Sequence, residues 1–168
     1  MKKHSLTLFT LLLILSPNMV LSESLNDLVK RDSLFYKKYS DIPFRGIDVI
    51  AFRKRSMKVT ENKMAKIKRN IRVFDYSQIL LDAKSIRKWT NVMLNFFPKG
   101  SYASVDNSSA ASDDIWENFQ LFETFTNAKK DGLEKLIIAV GNKNKQKLVE
   151  AFAEVKNSCD ACHERFRN

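Results

Sequence analysis

Two cysteines and a histidine lie close together in the stretch from Cys159 to His163, which reads Cys-Asp-Ala-Cys-His. On a helix, thiols three residues apart lie on one face, where both can add to the two vinyl groups of a haem. The adjacent histidine can then bind the iron as its proximal ligand. The spacing therefore predicts one covalent haem c, attached at Cys159 and Cys162, with His163 on the iron.

Two other uses of this pattern fit the chain less well. A redox-active cysteine pair normally opens a helix after a strand, whereas no segment of this sequence is a convincing strand. A zinc site needs three or four cysteine, histidine or carboxylate ligands, but Cys159 and Cys162 are the only cysteines. The second histidine, His4, lies in a segment that we expect to be removed. Haem attachment accounts best for the three residues.

The first 22 residues have the pattern of a secretory signal peptide. Lys2 and Lys3 precede an apolar run from Leu6 to Leu15, and the small residue Ser22 marks a cleavage site. This run is shorter than the roughly 20 residues that a membrane-spanning helix needs. We therefore expect a periplasmic protein with no stable membrane insertion after cleavage. Residues 23–45 are predicted to form an N-terminal extension of undefined role, and residues 46–168 the folded domain.

The chain is strongly basic, with a formal net charge of +10 over 168 residues. Loss of Lys2 and Lys3 with the signal lowers this charge to +8, and nine basic residues against one acid lie between Arg53 and Arg72. Such a segment either attracts an acidic redox partner or is an ordinary solvated helix face. An exported chain without a recognisable nucleic-acid motif is not expected to bind nucleic acid.

Apolar residues at helical spacing predict the first two helices. The first begins near Pro43 to Gly46 and runs to about Ile71. The second opens at Asp75, where Gln78 would complete a capping box, and it ends at Pro98.

The next segment, residues 100–111, is rich in serine, asparagine and alanine, which predicts a flexible connection. A third helix is then predicted from Ser112 to Gly141. Its predicted apolar face comprises Ile115, Phe119, Phe122, Leu133, Ile137 and Val140.

The fourth predicted helix contains both cysteines. Its apolar positions are spaced 4, 3, 4, 3 and 4 residues apart, as in a heptad pattern: Leu148, Phe152, Val155, Cys159, Cys162 and Phe166. The cysteines are thus in phase with the core, and a haem attached to them would enter the interior. The sequence predicts an all-α protein, an antiparallel four-helix bundle with covalently attached haem near the C-terminus.

Three local patterns resemble the class II c-type cytochromes, the cytochrome c′ family. The segment from Cys159 to Arg167 is similar to the family's terminal motif, Asp114 to Trp116 to the start of its third helix, and Phe52 to Met64 to its first helix. The resemblance covers about residues 46–167. It implies a four-helix bundle with one haem c that carries electrons or binds gases and is not an enzyme.

The resemblance leaves two functions open, which differ at the sixth position of the iron. In the low-spin branch a first-helix methionine binds the iron, and the matching residue is Met57 in an Arg-x-x-x-Met context. This branch, which the chain resembles more, implies an electron carrier. The alternative is a five-coordinate cytochrome c′ that binds nitric oxide or carbon monoxide, with Met57 as core filler. Met64, on the same face, is a second candidate ligand.

The resemblance also implies roles for two arginines and for partners. Arg53 would contact a haem propionate, and Arg167 would lie on the proximal side of the iron. Family members are often homodimers through their first two helices, although the basic first helix weakens that expectation here. A peroxidase is disfavoured because the mature chain has no second histidine to act on peroxide.

Overall fold

The computed structural model describes residues 46–104 and 108–168, and these ranges are mostly helical. The helices are α1 (Gly46–Val73), α2 (Tyr76–Val92), α3 (Asp114–Glu117), α4 (Phe119–Gly141) and α5 (Lys145–Phe166). A 3₁₀ turn, Met93–Phe96, continues α2. These residues contain no strand, only one isolated antiparallel bridge between Ala111 and Arg167. The predicted signal peptide and N-terminal extension lie outside the described residues.

The four long helices pack as a bundle, which confirms the predicted fold. Tight turns join α1 to α2 and α4 to α5, so the helices of each pair run antiparallel. Contacts are most extensive between α4 and α5, while α1 packs on α2 and α2 on α4. The fourth side of the bundle, between α1 and α5, has the fewest contacts. Among the helices of the described ranges, none is both long and apolar enough to cross a membrane.

The core consists of two clusters at different heights in the bundle. The first cluster is aliphatic and surrounds Ile67, Ile79, Leu133 and Val155. The second cluster is aromatic: it contains Val49, Trp89, Met93, Phe96, Phe97, Ala111, Ile115, Phe122 and Phe166. Burial of these apolar side chains is the main force that holds the helices together.

The start of α2 matches the prediction in part. The Asp75 side chain accepts a hydrogen bond from the Gln78 backbone N–H at 3.0 Å, as an N-cap does. The Gln78 side chain does not return to the cap. Its Nε2 donates instead to Asp82 Oδ2 at 3.1 Å, so the capping box is incomplete. This exchange occurs because Asp82 is buried and needs partners; Lys63 Nζ is the other, 3.2 Å from Oδ1.

The predicted third helix is in fact two helices, α3 and α4, with a break at Asn118. The Asn118 side-chain amide donates to the Asp114 carbonyl oxygen, and its backbone adopts φ −121° and ψ 39°. Asparagine competes with helix hydrogen bonding in this way. The break rotates the segment, so Phe119, predicted to be buried, is exposed.

The connection between α2 and α3, predicted to be flexible, is held by hydrogen bonds in the part described. Ala103 N–H donates to Ala111 O at 2.8 Å, and Ser112 N–H donates to Phe166 O at 3.0 Å. The second bond joins the connection to the end of α5. The serine-rich composition did not reveal these contacts because they involve backbone groups distant in sequence.

Gly132 lies where α4 and α5 approach each other most closely. A Cβ atom at this position would lie 3.0 Å from Val155 Cγ2 and 3.2 Å from the Val155 backbone nitrogen. Gly132→Ala gains about 1 kcal/mol of helix propensity, but overpacking against backbone costs about 1–3 kcal/mol. We expect a net loss of about 1 kcal/mol in the free energy of unfolding, measured by thermal melting.

Gly141→Ala is the matched control, because a Cβ atom there meets nothing within 4 Å. It should leave the melting midpoint unchanged or raise it slightly. If Gly132→Ala raised the midpoint as much as the control, α4 and α5 would not be in the close contact described.

Candidate haem site

Both cysteines lie in the last turns of α5, on the face directed into the bundle. Each is half-buried, and neither forms a disulfide. Cys159 packs against the first cluster and Cys162 against the second, so the pair spans the boundary between the two. The predicted heptad phase places them there, because Val155 and Phe166 on the same stripe are buried. The two thiols thus face the same region of the interior.

The electrostatic environment keeps Cys162 as a thiol. Burial raises its pKa to about 11, the nearby Cys159 adds to this effect, and Lys129 opposes it. The protonated form therefore dominates near neutral pH. A thiol carries the proton that addition to a vinyl group requires, so this state is compatible with thioether formation.

His163 lies at the edge of the site, next to Cys162. The residue as a whole is exposed, but neighbouring groups partly desolvate its ring. This desolvation is the main cause of the lowered pKa of His163. The charges of Arg167 and Lys129 lower this pKa further, and Asp160 opposes them. The imidazole is thus neutral at pH 7, the form that binds a metal. Arg167 lies close to His163; its position on the proximal side of the iron stays a prediction.

Met57 lies on α1 and packs against the second cluster, the cluster that Cys162 also contacts. Met64 packs against the first cluster, with Cys159. Both methionines are half-buried. The sparsely packed side between α1 and α5 separates these residues from the cysteines. The methionines and the cysteines therefore belong to the two helices between which the bundle is least closely packed.

Arg53 is almost completely buried, with 3% of its surface exposed. Its guanidinium donates hydrogen bonds to the carbonyl oxygens of Phe96 and Ser101 and to the hydroxyls of Ser101 and Ser109. The group also lies 4.8 Å from the centre of the Phe97 ring. Burial lowers its pKa to about 10, so it remains charged. Arg53 ties α1 to the α2–α3 connection, a role that the sequence did not indicate; its contact with a propionate stays a prediction.

Lys129 is a buried residue near the motif that sequence reasoning missed. It is 5% exposed and lies on the α4 face that packs on α5. Burial lowers its pKa, while Cys159 and Cys162 oppose the shift. The signal was present in the sequence, because Lys129 belongs to a stripe with the same 4, 3, 4, 3, 4 spacing as α5: Phe122, Thr126, Lys129, Leu133, Leu136 and Val140.

These residues fit a covalently attached haem c. The two free thiols share one face of α5, and the neutral His163 adjoins them. The neighbouring helix α1 is not packed tightly against α5. Within residues 46–104 and 108–168 there is no group of three or more histidine, cysteine or carboxylate side chains, the arrangement a zinc site would need.

The fold of this chain matches solved structures over almost their whole length. Cytochrome c′ from Thermochromatium tepidum has a TM-score of 0.69 and 20% identity, over 74% of this chain and 98% of that one. A cytochrome c′ described by its ligand-controlled dimer dissociation has a TM-score of 0.69 and 19% identity, over 75% and 98%. A nitric oxide complex of a mutant cytochrome c prime from Alcaligenes xylosoxidans has a TM-score of 0.67 and 21% identity, over 76% and 98%.

At these identities the similar structures show the fold alone. None of the curated proteins compared with the chain matches it. A family model described as Cytochrome C′ matches residues 48–167, which is most of the chain and includes the whole motif. The chain therefore belongs to the cytochrome c′ family, whose members bind one covalent haem c.

Proposed function

We propose that the chain is a periplasmic haem protein that binds a small gas, such as nitric oxide or carbon monoxide. Cys159 and Cys162 hold the haem, and His163 binds the iron on one side. The observation that carries this proposal is the apolar, largely aromatic cluster against which Cys162 packs. The nitric oxide complex among the similar structures supports it.

The residues around the site favour a neutral diatomic ligand. Haem c supplies an iron that exchanges one electron or takes up such a gas. Phe52 stacks on Phe96 at 4.3 Å between ring centres and contacts the edge of Trp89 at 5.9 Å, so the wall beside Met57 is aromatic. An apolar wall excludes water and stabilises an uncharged ligand. The mature chain offers no second histidine for acid–base chemistry on peroxide.

Electron transfer with Met57 as the sixth ligand is the second candidate. It is favoured by the position of Met57, half-buried on the helix opposite the cysteines and against the cluster that Cys162 contacts. A methionine ligand raises the reduction potential of a c-type haem. In that case the site would be closed to gases, and the protein would carry electrons without being an enzyme.

Partner binding follows from the exposed face of α1. Of the nine basic residues between Arg53 and Arg72, seven are exposed: Lys54, Arg55, Lys58, Lys66, Lys68, Arg69 and Arg72. A redox partner with an acidic surface would be attracted to this face. A homodimer that packed this face of α1 against its copy would bring like charges together. We therefore expect any homodimer contact through α1 to leave these cations exposed to solvent.

Optical spectra of the Met57→Leu variant distinguish the two functions. If the site binds gases, the unsubstituted protein has high-spin iron, its ferrous form binds carbon monoxide, and Met57→Leu changes the spectrum little. Leucine fills a similar volume, so the fold should be kept. Met64→Leu, in the other cluster, is the matched control and should also have little effect. A weak far-red sulfur-to-iron band that disappears only in Met57→Leu would contradict gas binding and establish Met57 as the ligand.

A further inference from the structure

Lys129 is a basic residue buried in the bundle interior, and burial lowers the pKa of its ammonium group. Among the described residues, no hydrogen bond or ion pair joins its ammonium group to a carboxylate, although it is 5% exposed. Among the described residues, the groups that favour its charged form are Cys159 and Cys162 when ionised. A buried charge without a partner is destabilising, and it is rarely kept without a functional reason.

The antiparallel register of α4 and α5 fixes the height of Lys129 in the bundle. On one side of it, Gly132 is opposite Val155. On the other side, the Phe122 and Phe166 rings meet edge to face at 5.5 Å. Lys129 lies between these two contacts, level with Cys159. It is also close enough to His163 to lower the pKa of that residue.

Attachment of haem changes the two cysteines that lie near Lys129. Each thiol S–H adds across a vinyl C=C bond, so that sulfur bonds to one carbon and the proton goes to the other. The resulting thioethers cannot ionise. Lys129 then has no ionisable cysteine near it, and a charge on its ammonium group acts on the haem site through a medium of low dielectric constant.

We propose that Lys129 sets the reduction potential of the haem iron, as a buried positive charge that favours the ferrous over the ferric state. This inference rests on haem attachment at Cys159 and Cys162 as proposed above, and it holds whether the sixth position is open or bound by Met57. Reduction removes one positive charge from the iron, so a nearby cation disfavours the ferric form. Lys129 is thus a tuning residue and not a ligand.

The test compares three variants by redox titration of the purified haem protein. Lys129→Met removes the charge at similar length, and we expect the ferric–ferrous equilibrium to shift about tenfold toward ferric iron, or about 59 mV for one electron. Lys129→Arg keeps a charge that cannot be lost at neutral pH and should retain the potential. Lys130→Met, one residue along and half-buried, is the matched control and should shift the equilibrium less than threefold.

Folding does not obscure this test, because removing an unpaired buried charge should keep or raise the melting midpoint. An unchanged potential in Lys129→Met, or an equal shift in Lys130→Met, would overturn the proposal. So would a change of spin state in Lys129→Met, which would make Lys129 an iron ligand. Haem that acid–acetone extracts from the unsubstituted protein would overturn the attachment itself, a failure distinct from an unchanged potential.

Discussion

Replacing Cys159 and Cys162 together with serine is expected to abolish covalent haem attachment. Serine is close to cysteine in size, and both positions are half-buried, so the helix should form. Its hydroxyl does not add to a vinyl group as a thiol does. In a host that attaches haem to exported proteins, the unsubstituted protein should keep its colour through acid–acetone extraction and exceed the apoprotein mass by one haem. The double variant should lose all colour on extraction.

The single variants provide the internal control. Cys159→Ser and Cys162→Ser should each keep one thioether, and thus a haem that resists extraction, with an altered spectrum. The prediction fails if the double variant retains non-extractable haem. A colourless unsubstituted protein with a Cys159–Cys162 disulfide would also contradict it and favour a redox pair.

His163→Ala is expected to abolish the native haem spectrum while leaving both thioethers in place. His4, the other histidine, lies in the predicted signal peptide, so no histidine remains to replace it in the mature chain. The exposed position of His163 means that the substitution removes few packing contacts. Mass spectrometry should therefore still show one attached haem, whereas the absorption bands of the iron–histidine site should be lost.

Arg167→Ala separates this effect from general disturbance of the proximal side. Arg167 lies near His163 and lowers its pKa, but it has no lone pair to offer the iron. We expect the Arg167→Ala spectrum to keep its bands with small shifts. A His163→Ala protein with an unchanged spectrum would show that another residue binds the iron.

The sequence predicts the main features of the fold because the haem-attachment cysteines and the core residues follow the same helical spacing. On α5 the heptad spacing from Leu148 to Phe166 includes both cysteines, so a single periodicity gives the helix, its buried face and the direction of the thiols. Asp75 likewise marks the start of α2 by a local bond to Gln78, three residues away. Features that depend on spacing within one helix can be read from the chain.

What the sequence did not predict depends on contacts between distant residues. The break at Asn118 is accompanied by a side-chain bond to the Asp114 carbonyl oxygen, which also accepts from the Asn118 backbone N–H. Arg53 interacts with Ser101 and Ser109, which lie 48 and 56 positions further along the chain. Its burial therefore could not be predicted from the basic stretch around it. Lys129 was not predicted because a lysine is expected to be exposed, even beside an apolar helix stripe.

The exposed cations of α1 also make the charge distribution of the molecule asymmetric. The α1 sequence has nine basic and two acidic residues, whereas α4 has three of each and α5 four of each. The excess charge is therefore concentrated on one helix, and the protein behaves as a dipole. Near a negatively charged surface the protein rotates until α1, which carries Met57, faces that surface. This orienting effect extends only about 8 Å at physiological ionic strength, so salt concentration governs how often α1 meets a charged partner first.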